Sequence, residues 1–197
     1  MAQALLELVL QRFPGVVQET HAQHGDETVV VDPAAWHDVA RTLRDDPAAA
    51  MDMLVDLTAV DFPEREPRFE VVAHLLSLSH GHRLRLKARV GDADGTGAEV
   101  ASLTDLWASA NWMERECYDL FGVVFLGHPD LRRILLYPEF VGHPLRRDYP
   151  AERTQPLVPY RDAPNIDKLP PFGPDEGMSF GRKTHGMAFP DDADDVS

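Results

Sequence analysis

The chain has 197 residues, enough for one globular domain with room for an extension. Its 33 Asp and Glu outweigh 19 Lys and Arg, and the resulting net charge of −14 argues against a nucleic-acid binder, which needs a surplus of cations to neutralise phosphates. Hydrophobic residues at 44 % can fill a core, while a single cysteine, Cys117, excludes an internal disulfide, a four-thiolate iron–sulfur cluster and a Cys-rich zinc site.

Leu5, Val9 and Phe13 recur at helical spacing, with Leu6 and Leu10 beside them, so the chain is predicted to open on a helix that Pro14-Gly15 stops. Glu7 and Gln11 interrupt its apolar stretch and no basic residue precedes it, which is unlike a signal peptide. Thr28 to Val31 is β-branched throughout and reads as a short strand. Asp32-Pro33 supplies an N-cap acceptor and a first-turn proline for a second helix, whose apolar stripe is Trp36, Val39, Ala40 and Leu43. Asp45-Asp46-Pro47 ends it. Met53 to Asp61, Phe69 to Ser77 and Arg83 to Val90 read as three strands, the last two joined as a hairpin by Ser79-His80-Gly81-His82. In the last strand Leu84, Leu86, Ala88 and Val90 alternate with Arg83, Arg85, Lys87 and Arg89, so one face is buried and the other basic, a surface that solvent or an acidic subunit could cover. Thr104 is expected to cap a helix over 105–120. The order of elements predicts an α+β fold with an antiparallel sheet and helices packed on one side. The longest apolar run, Leu120 to Gly127, is eight residues. A spanning helix needs about 20, so no crossing of a membrane is expected.

Residues 138–197 hold 10 of the 16 prolines and cannot form much regular structure. The expected division is therefore a globular domain over 1–137 and a long extended Pro-rich arm over 138–197 with an acidic tail. Phe140, Tyr149, Tyr160, Phe172, Phe180 and Phe189 stud this arm. Such rings, spaced by stiffening prolines, suit pockets on a neighbouring subunit, although folding back onto the chain's own domain is the alternative.

Several chemistries lack their motif. There is no GxGxxG, no GxxxxGK[ST] and no GxSxG. The loop from Gly91 places Asp92, Asp94, Thr96 and Gly97 at offsets like those of an EF-hand, but Leu103 stands where the bidentate Glu belongs, and a polar loop is the better reading. His80 and His82 are two ligands at most, too few for a metal site. His128 and His143, with Glu114, Glu116 and Asp119 nearby in sequence, leave a small metal-dependent hydrolase as a rival reading, without an HExxH to support it. Cys117 falls mid-helix, where a buried structural role fits better than a nucleophile.

The densest stretch is Asn111 to Pro150. Glu114, Arg115, Glu116 and Asp119 lie at same-face helical spacings, and Gly122 suits the helix stop. Two parallel phrases follow: Gly127-His128-Pro129 leads to Arg132 and Arg133, and Gly142-His143-Pro144 leads to Arg146, Arg147 and Tyr149. Guanidinium forks bind carboxylates at two points. The expectation is a structural lock in which acids of the helix hold arginines of the turns, with separate surface salt bridges as the alternative.

WMERECYDLFGVVFLGHPDLRRIL, continued by GHPLRRDYP, resembles the signature of the 30 kDa subunit family of respiratory complex I, the C-type subunit of proton-translocating NADH–quinone oxidoreductase. DLTAVDFPEREPRFEVVAHLLSLS and RLRLKARV fit the same pattern, so the resemblance spans about residues 28–150. It implies a non-catalytic subunit of the hydrophilic arm with no cofactor of its own. NADH, FMN, iron–sulfur clusters and quinone would belong to other subunits of the complex. The implied partners are the large D-type quinone-site subunit and neighbouring iron–sulfur subunits, with a peripheral location on the cytoplasmic side of the cell membrane. A homologous subunit of a membrane-bound hydrogenase or a ferredoxin-linked dehydrogenase is the alternative that the same motifs allow. Within the block, Glu114, Arg115, Glu116, Asp119, His128, Pro129, Arg132, Arg133, His143, Arg146, Arg147 and Tyr149 are the expected interface and lock residues, joined by Tyr160, Phe172 and Phe180 of the arm.

Overall fold

The structure is a computed structural model, and it describes residues 2–23 and 26–156. Helix α1 (Ala2–Arg12) is followed by strands β1 (Val17–Gln23) and β2 (Asp26–Val31). The Asp32 carboxylate then accepts a hydrogen bond from the Ala34 amide at 2.8 Å, capping a single tight turn that feeds α2 (Trp36–Asp45). Strands β3 (Met53–Asp61), β4 (Phe69–Leu76) and β5 (Arg83–Val90) form a meander, and β6 (Glu99–Ala101), α3 (Ala110–Phe121) and β7 (Val124–Leu126) complete the elements.

The main sheet has the order β1-β2-β5-β4-β3. Its pairings are antiparallel except β2 with β5, which run parallel. The sheet is therefore mixed, a correction to the all-antiparallel expectation. The physical reason is α2: it carries the chain from β2 across the sheet, and such a crossover can deliver a later strand parallel to the first. The short β6 and β7 pair parallel in a second sheet. These two strands and β1 escape sequence reading because they are short or polar.

Alternation decides the two faces of the sheet. Val29 and Val31, Leu84 to Val90 in steps of two, Phe69, Val71, Ala73 and Leu75, and Leu57 and Ala59 line one face. They share one buried cluster with Leu5 and Val9 of α1, Trp36, Val39, Ala40 and Leu43 of α2, and Ala110, Cys117 and Phe121 of α3. Val30 and Val72, buried on the opposite face, lie outside that cluster. That second face carries the basic residues of β5, but acids from other strands meet them. Lys87 pairs with Glu70 at 2.5 Å, Arg89 with Glu19 at 2.6 Å and Arg85 with Asp26 at 3.7 Å. Most of the expected basic surface is thus neutralised within the sheet.

α3 starts at Ala110, five residues later than the spacing suggested. Ser102 Oγ accepts from the Thr104 amide, so Thr104 belongs to a turn after β6 and caps no helix. The helix ends as expected: Gly122 adopts φ +78° and its amide donates to Tyr118 O. His80 and His82, stacked at 5.2 Å, are bound through Nε2 to the carbonyls of Pro47 and Ala49. They brace the loop before β3.

Candidate interaction site

α3 presents acids on its inner side, and each has a different partner. Asp119 is fully buried. Its Oδ2 accepts from the amides of Ile134 (3.0 Å), Leu135 (2.8 Å) and Leu136 (2.8 Å), and its Oδ1 from Arg133 Nη1 (2.8 Å). Burial alone would raise this carboxyl. The three amides and the guanidinium outweigh it and hold Asp119 below the usual aspartate range. Its backbone carbonyl also receives His143 Nδ1 at 2.9 Å, and Arg133 Nη2 donates to Gly142 O at 3.0 Å. One residue therefore ties both Gly-His-Pro phrases to α3.

Glu114 is equally buried but meets no arginine among the described residues. Ser102 Oγ and the Leu103 amide both donate to it at 2.6 Å, joining α3 to the turn after β6. Burial without a counter-cation pushes its carboxyl up to about 7. Glu116 is exposed and the Arg132 side chain pairs, among the described residues, only with its exposed neighbour Asp130, so neither side chain belongs to the lock. Arg115 enters it differently, donating to the carbonyls of Arg132 (3.1 Å) and Arg133 (3.3 Å). Asp119 and Arg133 form a contact of helix acid with turn arginine, whereas Glu114, Arg115 and Glu116 meet backbone groups or solvent.

A second ion pair carries the other phrase. Asp61 lies on the core face at the end of β3, and Arg68 immediately precedes β4. They meet at two points, and the Arg147 amide adds a third bond to Asp61 at 2.7 Å. Arg68 Nη1 also reaches Asp148 at 3.0 Å. Arg146 donates to Phe121 O at 2.6 Å, and its guanidinium and that of Arg68 lie 5.1 and 5.2 Å from the centre of the Phe69 ring. A Cβ on Gly122 would come within 2.5 Å of Arg146 Nη2 and 2.6 Å of His143 Nε2, so any larger residue must displace these two side chains. Asp61 and Arg68 were not among the expected site residues. The available signal was parity: Asp61 follows Leu57 and Ala59 at inward positions of an alternating strand.

Residues 138–156 form no helix or strand, and most of the bonds just described fall on them or on the turn before them. Phe140 and Tyr149 stack on one another at 6.1 Å, and Gln155 binds the Tyr149 hydroxyl and the Val141 backbone. Tyr160, Phe172 and Phe180 lie outside the described residues, as does Phe189. His128 uses both ring nitrogens, on Asn111 O and the Asp130 amide. His128 and His143 thus serve as braces, and no group of three or more metal-ligating side chains forms among the described residues. Pro129 sits in the exposed turn between His128 and Asp130. Burial pushes the Cys117 thiol well above its ordinary range, the opposite of an activated nucleophile. No helix among the described residues is long and apolar enough to cross a membrane.

The 112–145 segment also carries exposed apolar side chains. Trp112 and Leu135 are 64 % and 61 % exposed, and Leu126, Tyr137, Val141 and Leu145 are exposed as well. Six of the eleven exposed large hydrophobics among the described residues fall between residues 112 and 145, which is where an interaction surface is to be sought.

An α+β domain whose buried charges clamp an irregular, apolar-surfaced segment is built as an assembly module. The family model described as "Respiratory-chain NADH dehydrogenase, 30 Kd subunit" matches residues 29–155. The C-type subunit of the NADH-quinone oxidoreductase of Rhodobacter capsulatus is 46 % identical over 148 residues, covering 75 % of this chain and 72 % of that protein. Its counterpart in Burkholderia cenocepacia (strain HI2424) is 50 % identical over 132 residues, 64 % of this chain and 65 % of its own length. Among solved structures, the trypsin-resistant fragment (1–134) of Nqo5 is 34 % identical with a TM-score of 0.55, covering 64 % of this chain and 99 % of the fragment. A chain of the membrane-bound sulfane sulfur reductase, an archaeal respiratory membrane complex, is 26 % identical with a TM-score of 0.62, covering 76 % of this chain and 86 % of its own. The chain belongs to the 30 kDa subunit family of respiratory complex I, the NADH–quinone oxidoreductase.

Proposed function

We propose that this chain is a non-catalytic subunit of the peripheral arm of a proton-translocating NADH–quinone oxidoreductase. It packs on the quinone-site subunit and supports electron transfer from NADH to quinone through neighbouring subunits. NADH, FMN, iron–sulfur clusters and quinone are assigned to those neighbours, and the assembled complex sits on the cytoplasmic side of the cell membrane.

The observation that carries the reading is the concentration of exposed apolar side chains on the 112–145 segment, whose backbone at 134–136 is held by Asp119. A lone soluble domain gains nothing by fixing such a surface rigidly, whereas a subunit does, because order present before association is entropy that association need not remove. The rings of the arm beyond residue 156, Tyr160, Phe172 and Phe180, are assigned to the same partners. The related-assembly alternative keeps one support, the 26 % identity to the sulfane sulfur reductase chain, against 46–50 % to the NADH–quinone relatives. A tagged copy expressed in its host and purified at low salt should bring down a membrane assembly that oxidises NADH. Recovery of the chain alone, or with a hydrogenase-type assembly that does not oxidise NADH, overturns the proposal. The purified chain by itself should neither oxidise NADH nor reduce quinone.

A further inference from the structure

Burial stops abruptly along the chain. Among the described residues, none from 126 to 156 is buried, and none beyond Leu131 belongs to the core or packs against it. Residues 132–156 also form no helix or strand. What ties them to the domain is polar. The Asp119 carboxylate takes the amides of 134–136 and the Arg133 guanidinium. The Leu145 amide donates to Leu120 O at 3.1 Å, and Arg146 to Phe121 O. The Arg147 amide donates to Asp61, and Asp148 accepts from Arg68. Each such bond adds little net stability, because water replaces it on opening, whereas ordering the backbone costs entropy at every residue. The sheet and helices have apolar burial to offset that cost, and this segment does not. Opening strands no buried charge either. Asp61 keeps both bonds from Arg68, and the Asp119 side chain is bonded, among the described residues, only by 133–136, which leave together.

We infer that residues 132–156 form a strap that opens and closes as one unit on a domain that stays folded. Bonds inside the segment make it one unit. Arg133 donates to Gly142 O, Phe140 stacks on Tyr149, and Gln155 bonds the Val141 backbone. The structure shows the strap closed. Leu135, Tyr137, Val141 and Leu145, four of the six exposed hydrophobics of the 112–145 segment, ride on it. Closure therefore decides whether that surface exists. The opening itself does not rest on the assembly reading above. Its consequence does: a partner that binds only the closed form draws the equilibrium toward it.

Hydrogen exchange of the purified full chain in sub-denaturing urea tests this. The amides of Ile134, Leu135, Leu136, Leu145 and Arg147 should exchange about tenfold or more faster than the slowest of β4 and β5. They should share one urea dependence, shallower than that of β4 and β5, because opening exposes less surface than unfolding. Val39→Ala, which truncates a fully buried core residue of α2, should speed the β4 and β5 amides by about tenfold or more and leave the strap amides unchanged. It weakens the closed and open forms alike relative to the unfolded chain. Strap amides that match β4 and β5 in rate and urea slope, or that speed up with them in the variant, overturn the proposal, because strap and domain then unfold together. Strap amides with no protection overturn it too, since the strap is then open from the start. Unlike urea slopes at 134–136 and 145–147 overturn the single unit. If the variant does not fold, the urea slopes of the parent chain decide alone. Failure of the chain to bring down any partner removes the assembly reading and leaves the exchange result standing.

Discussion

Asp61 and Arg68 meet through two parallel hydrogen bonds, Nε to Oδ1 at 2.7 Å and Nη2 to Oδ2 at 2.8 Å, with both side chains almost fully buried. The pair joins the end of β3 to the start of β4 and holds the 147–148 backbone in place. Arg68→Ala leaves a buried carboxylate without its cation, a loss of about 3–5 kcal/mol. Urea unfolding of the purified chain should show it as a lower midpoint at unchanged slope. Arg68→Lys should recover only part, because an ammonium cannot span both oxygens.

Two carboxyls, Asp119 and Asp61, titrate in the folded chain below their ordinary value despite burial. A depressed carboxyl contributes stability that is complete above its unfolded pKa and disappears as pH falls through its folded one. The chain should therefore lose stability on acidification from about pH 4 downward, the unfolded aspartate range. Asp119→Asn should flatten that loss, while costing stability at neutral pH because an amide oxygen replaces the charge that Arg133 and three backbone amides address. Thermal melts at a series of pH values distinguish the two effects.

Glu114 has the opposite sign. Its folded pKa, about 7, stands above the ordinary 4.5 because it is buried, and the bonds from Ser102 and Leu103 only partly offset this. The folded state holds its proton more tightly, so this group's contribution is complete below about pH 4.5 and declines as pH rises to about 7. A shift of this size corresponds to about 3 kcal/mol. Glu114→Gln removes the titration. Its destabilisation relative to the parent should be larger at pH 5 than at pH 8, measured by chemical unfolding at both. An equal loss at the two values would show that Glu114 is ionised throughout.

The sequence disclosed what is periodic and concealed what is local. α2 and strands β3, β4 and β5 were legible because alternation or helical spacing survives in Trp36–Leu43, Leu57–Asp61 and Leu84–Val90. β1 was not, since VQETHAQ has no apolar alternation and is held by pairing with β2. The family block put Asp119 and Arg133 among its candidate residues, and the fold joins them. It could not reveal that three consecutive amides would complete the Asp119 site, because backbone donors leave no trace in side-chain identity. Arg68 was hidden by its distance in sequence from Asp148, a contact that only the folded chain creates.

Gly122 combines a left-handed backbone with two side chains lying over it. Gly122→Ala adds the strain of positive φ to displacement of Arg146 and His143, and should cost about 2 kcal/mol. The displacement should also free the 143–148 segment, which limited proteolysis would report as earlier cleavage after Arg146 or Arg147. Unchanged proteolysis with a lower melting temperature would confine the effect to the helix end.

Residues that hold the apolar surface differ from residues that form it. The Glu116 and Arg132 side chains are exposed and outside the lock, and those of Trp112 and Leu135 are exposed as well. Truncating any of these four to Ala should change stability of the purified chain by no more than about 0.5 kcal/mol. Trp112→Ala and Leu135→Ala should nevertheless lower recovery of assembled complex on native gels, since an exposed ring that becomes buried is where binding energy concentrates. Arg132→Ala and Glu116→Ala should lower it less, as contacts at a wet rim do. Asp119→Ala should fail in both measurements, because it loosens the segment that carries Leu135. Wild-type assembly by the Trp112 and Leu135 variants would move the interface off α3 and its covering loop, and leave the Asp119 cluster as a purely internal clasp.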